Sequence, residues 1–462
     1  MRSVHHVTLA VLAALAVVLP RCVPAQGGPI DLAEALRRAD EAGFANRRAR
    51  AAVATQRAAT IAALRGVLPT MRIEAGIART TDPIGAFGTL LRQRAITQQD
   101  FEPTRLNYPS AVTNHLGGLV FEQPLFNADA WVGRRAAAQA HDAASATAAW
   151  TLTGQRVEVI RAYYGAVLAA EKLATLGVAL QAAREHLRFA ETLARNGVVT
   201  SADAMLAGVK AGDIETQLVA AKGELAIARL AFATVLGTPD DETLTLPSRL
   251  PAADALRRFA QRSDTSMIAG RQDVRAANAG ANAAAMDVRR ARSLYVPRLN
   301  GFARYDWNSA LRPFDGQKNW TVGVMASWTP FAGASEIGDR LASEGRLREA
   351  EAMRDGAVAE SALDLARAES RWSVNLARLD IVERMVRQST DAQRIVARRY
   401  EGGLGTIAEL LDAQAAATQA QLTLVAARFD VIIATAERLR ARGLDPATLR
   451  VLDDLAPDAD AR

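Results

Sequence analysis

Two acidic side chains near the C-terminal end have a spacing that suits cation chemistry. Glu409 and Asp412 are three positions apart, so on a helix they share one face. Copies of such a face arranged in a ring favour cations and can be bridged by them. Acids also accumulate near helix starts, because the helix dipole is positive there. Both interpretations are open at the level of the sequence.

The other reactive groups form no recognisable catalytic or metal-binding set. No pair of histidines has metal-ligand spacing. The sequence has no phosphate-binding glycine loop, no nucleophile-elbow motif and no ordered Ser, His and Asp triad. We therefore expect no enzyme, no cofactor and no bound metal. The histidines are His5, His6, His115, His141 and His186.

The composition favours long, closely packed helices over the core of a mixed-layer enzyme. Half of the 462 residues are apolar, only 5% are aromatic, and alanine is abundant. Alanine is the best helix former and lets backbones approach closely. The 56 basic and 50 acidic residues give a modest formal charge of +6, and we expect no nucleic acid partner.

The N-terminus has the features of a secretory signal peptide, residues 1–25. Arg2 is followed by an apolar stretch at residues 7–19 and by small residues ending at Ala25. Cleavage after Ala25 would remove Cys22, the single cysteine. No other segment has the run of about 18 apolar residues that a membrane-spanning helix needs. An exported chain of this kind would cross a membrane with strands.

Two stretches without proline, residues 125–238 and 331–445, predict two long helical units. Each unit has one break, at residues 196–201 and 402–406, where glycine is followed by threonine. Glycine ends one helix, and threonine caps the next. We therefore expect two helical hairpins with arms of about 65 and about 35 residues, packed as coiled coils because no globular core is that long.

The two helical units are copies of one another. A single offset of 206 residues aligns them without a gap. A fixed offset of this kind predicts an internal two-fold repeat. The matches that chance explains least are Pro124 with Pro330, Gly197 with Gly403, and Gly237 with Gly443.

Four segments with alternating polarity predict strands in two pairs, 71–80 with 116–123 and 299–307 with 320–329. Their connections differ, and the first is a loop at residues 81–113. One face of the last segment carries Trp320, Val322, Val324, Ala326 and Trp328. An apolar face with tryptophan at both ends suits an outer-membrane strand, although a half-buried hairpin shows the same alternation. Because membrane barrels need about eight strands, four strands require oligomerisation.

The predicted fold class is mainly α with a small β part. Residues 26–240 form a first repeat, residues 241–443 form a second repeat, and residues 444–462 form a C-terminal tail. Each repeat contains a helix, a β-hairpin and a long helical hairpin in that order. The β-hairpins are placed at 70–123 and 298–329, and the helical hairpins at 127–237 and 334–443.

This organisation resembles the outer-membrane efflux protein family, the TolC-like outer-membrane factors. The resemblance covers residues 30–443 and rests on the doubled organisation, the Leu-Pro and Gln-Pro-Leu-Phe strand borders and the turns after each long helix. Its most specific part is the run YEGGLGTIAELLDAQ at residues 400–414. It implies a homotrimer with a 12-stranded β-barrel in the outer membrane of a Gram-negative cell and a 12-helix α-barrel through the periplasm.

The function that the resemblance implies is a passive exit duct of a tripartite efflux or type I secretion system. A periplasmic adaptor protein would contact the helical tips, and an inner-membrane pump would supply the energy. The alternative is a periplasmic adaptor or a structural coiled-coil protein, although an adaptor usually carries one hairpin inside β-rich domains. The exported substrate is not readable from the sequence, because a duct lined by polar helices selects weakly.

The resemblance also implies roles for residues at the two tips. Glu409 and Asp412 match the carboxylates of the periplasmic entrance in this family, with glutamate replacing aspartate at 409. Tyr400 and Asp203 match residues that close the tip by hydrogen bonds between neighbouring hairpins. Tyr400 alternatively packs its ring and leaves its hydroxyl in water. Gly405 stands where the family has an arginine, so one closing bond is missing.

Two further sets of residues follow from the same resemblance. The turns are expected to contact the adaptor, with helix capping as the simpler explanation. The lipid-facing girdle is expected to include Trp320 and Trp328. The turn residues are Gly197, Val198, Thr200, Gly403, Leu404, Gly405 and Thr406.

Overall fold

A computed structural model describes residues 30–238, 245–263 and 270–454. The expected signal peptide at residues 1–25, with Cys22, lies outside the described residues. The same holds for the last part of the expected tail, residues 455–462.

The described chain is mainly helical, with one small sheet. The first half contains α1 Leu32–Ala42, α2 Phe44–Ala62, β1 Thr70–Thr80, α3 Pro83–Arg92, α4 Pro103–Asn107, β2 Val112–Phe126, α5 Ala128–Arg195 and α6 Ser201–Leu236. The second half contains α7 Ala253–Ser263, α8 Gln272–Ser293, β3 Arg298–Ser309, β4 Gln317–Ser327, α9 Ser335–Glu401, α10 Ile407–Ala441 and α11 Val451–Asp454. The predicted fold class and the internal repeat are confirmed.

Two helical hairpins dominate the molecule. The long arms α5 and α9 have 68 and 67 residues, which corresponds to about 100 Å each. The short arms α6 and α10 have 36 and 35 residues. Gly197 and Gly403 follow the long arms with φ of +73° and +71°, a left-handed backbone that suits glycine. The arm lengths agree with those expected from the proline-free stretches.

The main hydrophobic core lies where α1, α5, α6 and α10 meet, about halfway along α5. Tyr163 and Phe232 are fully buried there, with their rings in edge-to-face contact at 5.7 Å. The Tyr163 hydroxyl donates a hydrogen bond to the carbonyl of Ile30. Leu449, just before α11, completes this core and ties the end of the described chain to the long helices.

One of the described helices, α5, contains an 18-residue window that is apolar and long enough to cross a membrane by length and composition. Such a window can include two charged residues, so it differs from the uninterrupted apolar run that the sequence was expected to lack. Of that window 39% is buried, and α5 packs against α2, α6, α8 and α10. Packing against these helices covers part of the window, and the larger part is not buried within one chain.

The sheet has the order β1-β2-β3-β4, and every neighbouring pair is antiparallel. The register places most of the apolar side chains of the four strands on one face and most of the charged ones, together with Val120 and Phe302, on the other. The apolar face carries Met71, Ile73, Ile77, Leu119, Phe121, Tyr305, Trp320, Val322 and Val324. The opposite face carries Arg72, Glu74, Glu122, Asn300, Arg304, Asp306, Asn319 and Thr321.

The connections between strands differ from the sequence-based expectation. The expected loop at 81–113 contains α3 and α4 instead of irregular chain. Asp82 caps α3 by accepting a hydrogen bond from the Gly85 N–H at 2.6 Å, and Pro83 occupies the first helical turn. The second connection is short, because β3 and β4 both extend further than expected. At its other end β4 stops at Ser327, two residues before the expected end.

Candidate functional site

The two hairpin turns share one hydrogen-bond arrangement at the start of their second helices. Thr200 is the N-cap of α6, and its hydroxyl accepts a hydrogen bond from the Asp203 N–H at 3.3 Å. The Asp203 carboxylate accepts one in return from the Thr200 N–H at 3.0 Å. In the second turn Thr406 and Glu409 exchange the same two bonds, both at 3.2 Å. Both turns are therefore closed by a capping box.

Glu409 and Asp412 are exposed and lie on the solvent side of α10. The opposite side of the same turns, with Ile407, Leu410 and Leu411, is buried against the tip cluster. Glu409 thus satisfies the helix-start interpretation, since its carboxylate completes the cap. Asp412 has no ion pair or side-chain hydrogen bond with the described residues, so its charge is free to act on ions. The cation role of this pair stays a prediction.

Tyr400, the last tyrosine before the second turn, is buried at the tip with 8% of its surface exposed. Its ring contacts that of Phe189 edge-on, with centroids 6.0 Å apart. Its hydroxyl is buried and has no hydrogen-bond partner among the described residues. Burial raises the pKa of the Tyr400 hydroxyl, and the nearby charge of Asp203 raises it further.

The expected tip-closing pair is therefore close together but not hydrogen-bonded within one chain. The Asp203 carboxylate is engaged by Thr200, whose N–H and hydroxyl both donate to it. The Tyr400 hydroxyl is not in water either, contrary to the alternative interpretation of its role. A buried hydroxyl without a hydrogen bond is costly, so this group is available to a partner from outside the described chain. The tip-closing role of Tyr400 and Asp203 stays a prediction.

The apex of each turn presents an apolar side chain to solvent. Val198 is 67% exposed and Leu404 is 76% exposed, and the two are related by the offset of 206 residues. Around Gly197 and Gly403 there is open space where a side chain would project. The turns thus offer two equivalent surfaces, which suits contact with a second protein. That contact stays a prediction.

Sequence reasoning missed one residue in the second turn. Arg399 donates a hydrogen bond from Nη2 to the carbonyl of Leu404 at 3.1 Å. Its guanidinium thereby binds the carbonyl of the residue before Gly405, the position where the resemblance leaves an arginine missing. This contact could have been predicted, because Arg399 is in the last turn of α9 and basic side chains there interact favourably with the free backbone carbonyls.

Trp320 and Trp328 lie near opposite ends of β4, and both are exposed, at 73% and 61%. Trp320 belongs to the apolar face of the sheet. Trp328 follows the last residue of β4, and its indole N–H donates a hydrogen bond to the carbonyl of Tyr295 at 3.1 Å. An apolar ring body with one satisfied polar atom suits a membrane interface.

The opposite face of the sheet carries a charged network. Arg304 lies 2.8 Å from Asp306 on its own strand and 3.4 Å from Glu74 on β1. Nearby, the Asn300 side-chain amide donates a hydrogen bond to Glu122 at 3.0 Å. A sheet with one apolar and one charged face is suited to separating lipid from water.

The described residues contain no group of three or more histidine, cysteine or acidic side chains that could hold a metal ion.

The model of a protein family described as "Outer membrane efflux protein" matches residues 47–238 and 265–441. This match covers well over half of the chain. The chain belongs to the outer membrane efflux protein family. It is accordingly a channel protein of the outer membrane that extends into the periplasm, and not an enzyme.

Solved channels of this kind have the same fold. VceC from Vibrio cholerae is 19% identical, with a TM-score of 0.71, and the match covers 89% of this chain and 96% of that one. CmeC from Campylobacter jejuni is 14% identical, with a TM-score of 0.74 and coverage of 92% and 89%. MtrE from Neisseria gonorrhoeae, in its open state, is 19% identical, with a TM-score of 0.70 and coverage of 90% and 89%. No curated protein matches the sequence.

Proposed function

We propose that this efflux-family chain forms a homotrimer that acts as a passive exit duct. The observation that carries the proposal is the two-faced sheet, apolar at Trp320 and Val322 and charged at Arg304 and Asp306. β1 and β4 are edge strands among the described residues. Three copies would join these edges into 12 strands, which lies within the range of closed membrane barrels. The apolar face would then meet lipid, and the charged face would line the opening.

The duct would be one part of a tripartite efflux or type I secretion system. The long hairpins α5–α6 and α9–α10 reach about 100 Å from the sheet, far enough to extend deep into the periplasm. Val198 and Leu404 at their tips are apolar and exposed, which suits docking of a periplasmic adaptor. An inner-membrane pump would supply the energy, since the sequence has no nucleotide-binding motif.

The periplasmic end would be the gate. In a trimer Glu409 and Asp412 form rings of up to six carboxylates, which would attract cations at the entrance. The unpartnered Tyr400 hydroxyl would find its acceptor on a neighbouring hairpin when the tip is closed. One similar structure, that of MtrE, is an open state, which supports a duct that opens and closes.

A periplasmic adaptor or structural coiled-coil protein is the weaker alternative. Such a protein has no use for an exposed apolar sheet face flanked by tryptophans, because that face would be in water. The family match and the doubled hairpin also disfavour it. The two functions differ in location and assembly, so one experiment separates them.

The test is cysteine cross-linking of the edge strands in cell envelopes. With Cys22 replaced by serine the chain has no thiol, so a short series of pairs can place one cysteine on β1 and one on β4. We expect at least one pair to give covalently linked trimers that sediment with the outer membrane. Pairs with one cysteine at Thr104, on α4 in the connection between β1 and β2, are the matched control and should give no linked trimer.

Purified trimers should also form ion-conducting channels in planar bilayers without nucleotide. A soluble periplasmic monomer, or membrane material without conductance, would overturn the proposal of an exit duct. Conductance that requires nucleotide would overturn its passive character.

A further inference from the structure

A charged cavity of about 460 Å³ lies between α5, α9 and α10, beside the start of α8. It is remote from the tips and from the sheet, since Trp150 in its wall lies about 33 Å along α5 from Ala128. None of the residues assigned to the gate, the turns or the girdle lines it. Its charged lining residues are Arg161, Arg271, Arg367, Arg371, Arg440, Glu158, Asp364 and Glu437.

The three carboxylates of the cavity form ion pairs with three of its five arginines. Each acid lies within ion-pair distance of one or two guanidinium groups, and Arg271 has an additional acid, Asp273, at 2.6 Å. The pairs are Arg161 with Glu437 at 2.7 Å, Arg371 with Glu437 at 3.5 Å, Arg271 with Asp364 at 3.3 Å and Arg161 with Glu158 at 3.7 Å. No acid of the lining is left for the other two arginines.

Arg440 and Arg367 have no ion pair with any described residue. The Arg440 guanidinium is stacked over the Trp150 ring at 3.9 Å, and its Nε is buried without a hydrogen-bond acceptor. Arg271 lies over the same ring at 4.7 Å. Burial lowers the pKa of Arg440, and the like charge of Arg271 lowers it further, although Asp273, Asp364 and Glu158 oppose the shift from beyond ion-pair distance. A buried positive charge in this position is unfavourable unless an anion accompanies it.

The backbone of α5 makes room for this unpaired group. At Gly154 a side-chain Cβ would lie 3.3 Å from Nη2 of Arg440, tighter than an ordinary contact. The glycine therefore leaves space beside the guanidinium, and the remaining volume of the cavity adjoins it. This space is large enough for a small anion with several oxygens.

We propose that this cavity binds a small soluble oxyanion of the phosphate or carboxylate class. Arg440 and Arg367 supply the uncommitted donors, and Arg371, held by Glu437 only at 3.5 Å, supplies a third. Guanidinium groups bind such oxygens through pairs of parallel hydrogen bonds. The distance from the sheet excludes a membrane lipid headgroup, so the ligand is a free anion of the periplasm. Bound there, the anion links α9 and α10 beside α5.

The test is phosphate binding by purified protein in detergent, in phosphate-free buffer at constant ionic strength. Titration with inorganic phosphate, followed by calorimetry and phosphorus NMR, should show saturable binding of one anion per chain. Arg440→Gln and Arg367→Gln should each weaken it by roughly tenfold, because each removes a charge-assisted hydrogen bond. Arg384→Gln is the matched control, since Arg384 is an exposed arginine of α9 about 25 Å further along the helix.

Binding that is absent, or equal in the wild type and both cavity variants, overturns the proposal. If Arg440→Gln disturbs folding, Arg367→Gln decides, because Arg367 is exposed and its removal leaves the packing intact. Unchanged binding in Arg367→Gln then also overturns it. Binding of phosphatidylglycerol, added in mixed detergent micelles, without binding of free phosphate would identify a lipid headgroup and overturn the soluble ligand. These readouts do not involve conductance, so they are independent of the proposed duct function.

Discussion

Asp203 and Glu409 lie 206 positions apart and occupy the same position, the third residue of α6 and of α10. Each carboxylate accepts a hydrogen bond from the backbone N–H of the threonine that caps its helix. The two acids therefore have the same structural task in the two halves of the chain. A role of Glu409 in gating has to be separated from this task before a mutant can be interpreted.

Removing the charges of the proposed gate without removing the cap should abolish block by multivalent cations. Glu409→Gln keeps a side-chain oxygen for the capping box, and Asp412→Asn removes the second charge. We expect the double variant to lose cation block in planar bilayers, because the carboxylate rings are gone. Its stability should stay within about 0.5 kcal/mol of the wild type. Asp203→Asn, the equivalent change in the first turn, should leave the block intact. Unchanged block in the double variant would rule out the gate assignment.

Tyr400→Phe should increase the fraction of time that the channel is open. In one chain the hydroxyl is buried and unpartnered, so its loss should cost nothing there. In the proposed closed trimer it loses a hydrogen bond worth about 1 kcal/mol, which raises the open fraction roughly fivefold. Single-channel recording measures this. Tyr163→Phe removes a hydroxyl bonded to Ile30 in the core and should lower stability without changing gating. Equal open fractions in wild type and Tyr400→Phe would contradict a tip-closing role.

His186 should make the tip of the first hairpin less stable in acid. Burial lowers the pKa of His186 from its usual 6.5, although Glu185 and Glu401 oppose the shift. The unfolded segment therefore takes up a proton more readily than the folded one. The stability from neutral His186 is present above pH 6.5 and is lost as the pH falls toward the lower folded value.

Hydrogen exchange of the amides around His186, compared at pH 7.5 and pH 5.5 after correction for intrinsic rates, checks this. His186→Gln should remove the additional exchange in acid. His141→Gln, further up the same helix, should retain it. The same acid effect in both variants would assign it to other groups.

Val322→Arg should impair insertion, because Val322 is in the centre of the apolar face of β4. An arginine facing lipid near the bilayer midplane costs about 2–4 kcal/mol. We expect fewer heat-modifiable trimers in the outer membrane and a lower urea midpoint for those that form. Thr321→Arg places the same side chain on the charged face, where it should be tolerated. A greater loss of trimers with Thr321→Arg than with Val322→Arg would contradict the assignment of the lipid-facing side of the sheet.

The helical architecture was predictable because its signals are local. Proline-free stretches give the helix lengths, and Gly197 and Gly403 mark the turns without reference to any distant residue. The connection between β1 and β2 was expected only as a loop at residues 81–113, and its helices were missed. Asp82 followed by Pro83 marks a helix start there.

The candidate site was only partly predictable from the sequence. Contacts between residues close in sequence could be predicted, and contacts between distant residues could not. The capping role of Asp203 was readable from Thr200 three positions earlier. The unpartnered hydroxyl of Tyr400 was not, because it depends on what surrounds the ring in three dimensions. The charged cavity was even less accessible, since Gly154 and Arg440 meet only after the two halves of the chain have packed together.

The gapless offset between the two halves carries an evolutionary consequence. In a helix each residue turns the chain by about 100° and advances it by about 1.5 Å. One residue inserted into α5 but not α9 would rotate the whole tip beyond it and leave the two apices at different heights. The two duplicated hairpins must therefore keep equal lengths, and insertions or deletions are tolerated only in other parts of the chain. The unequal connections of the sheet, with α3 and α4 in one and a short turn in the other, are where the duplicated halves have been free to differ.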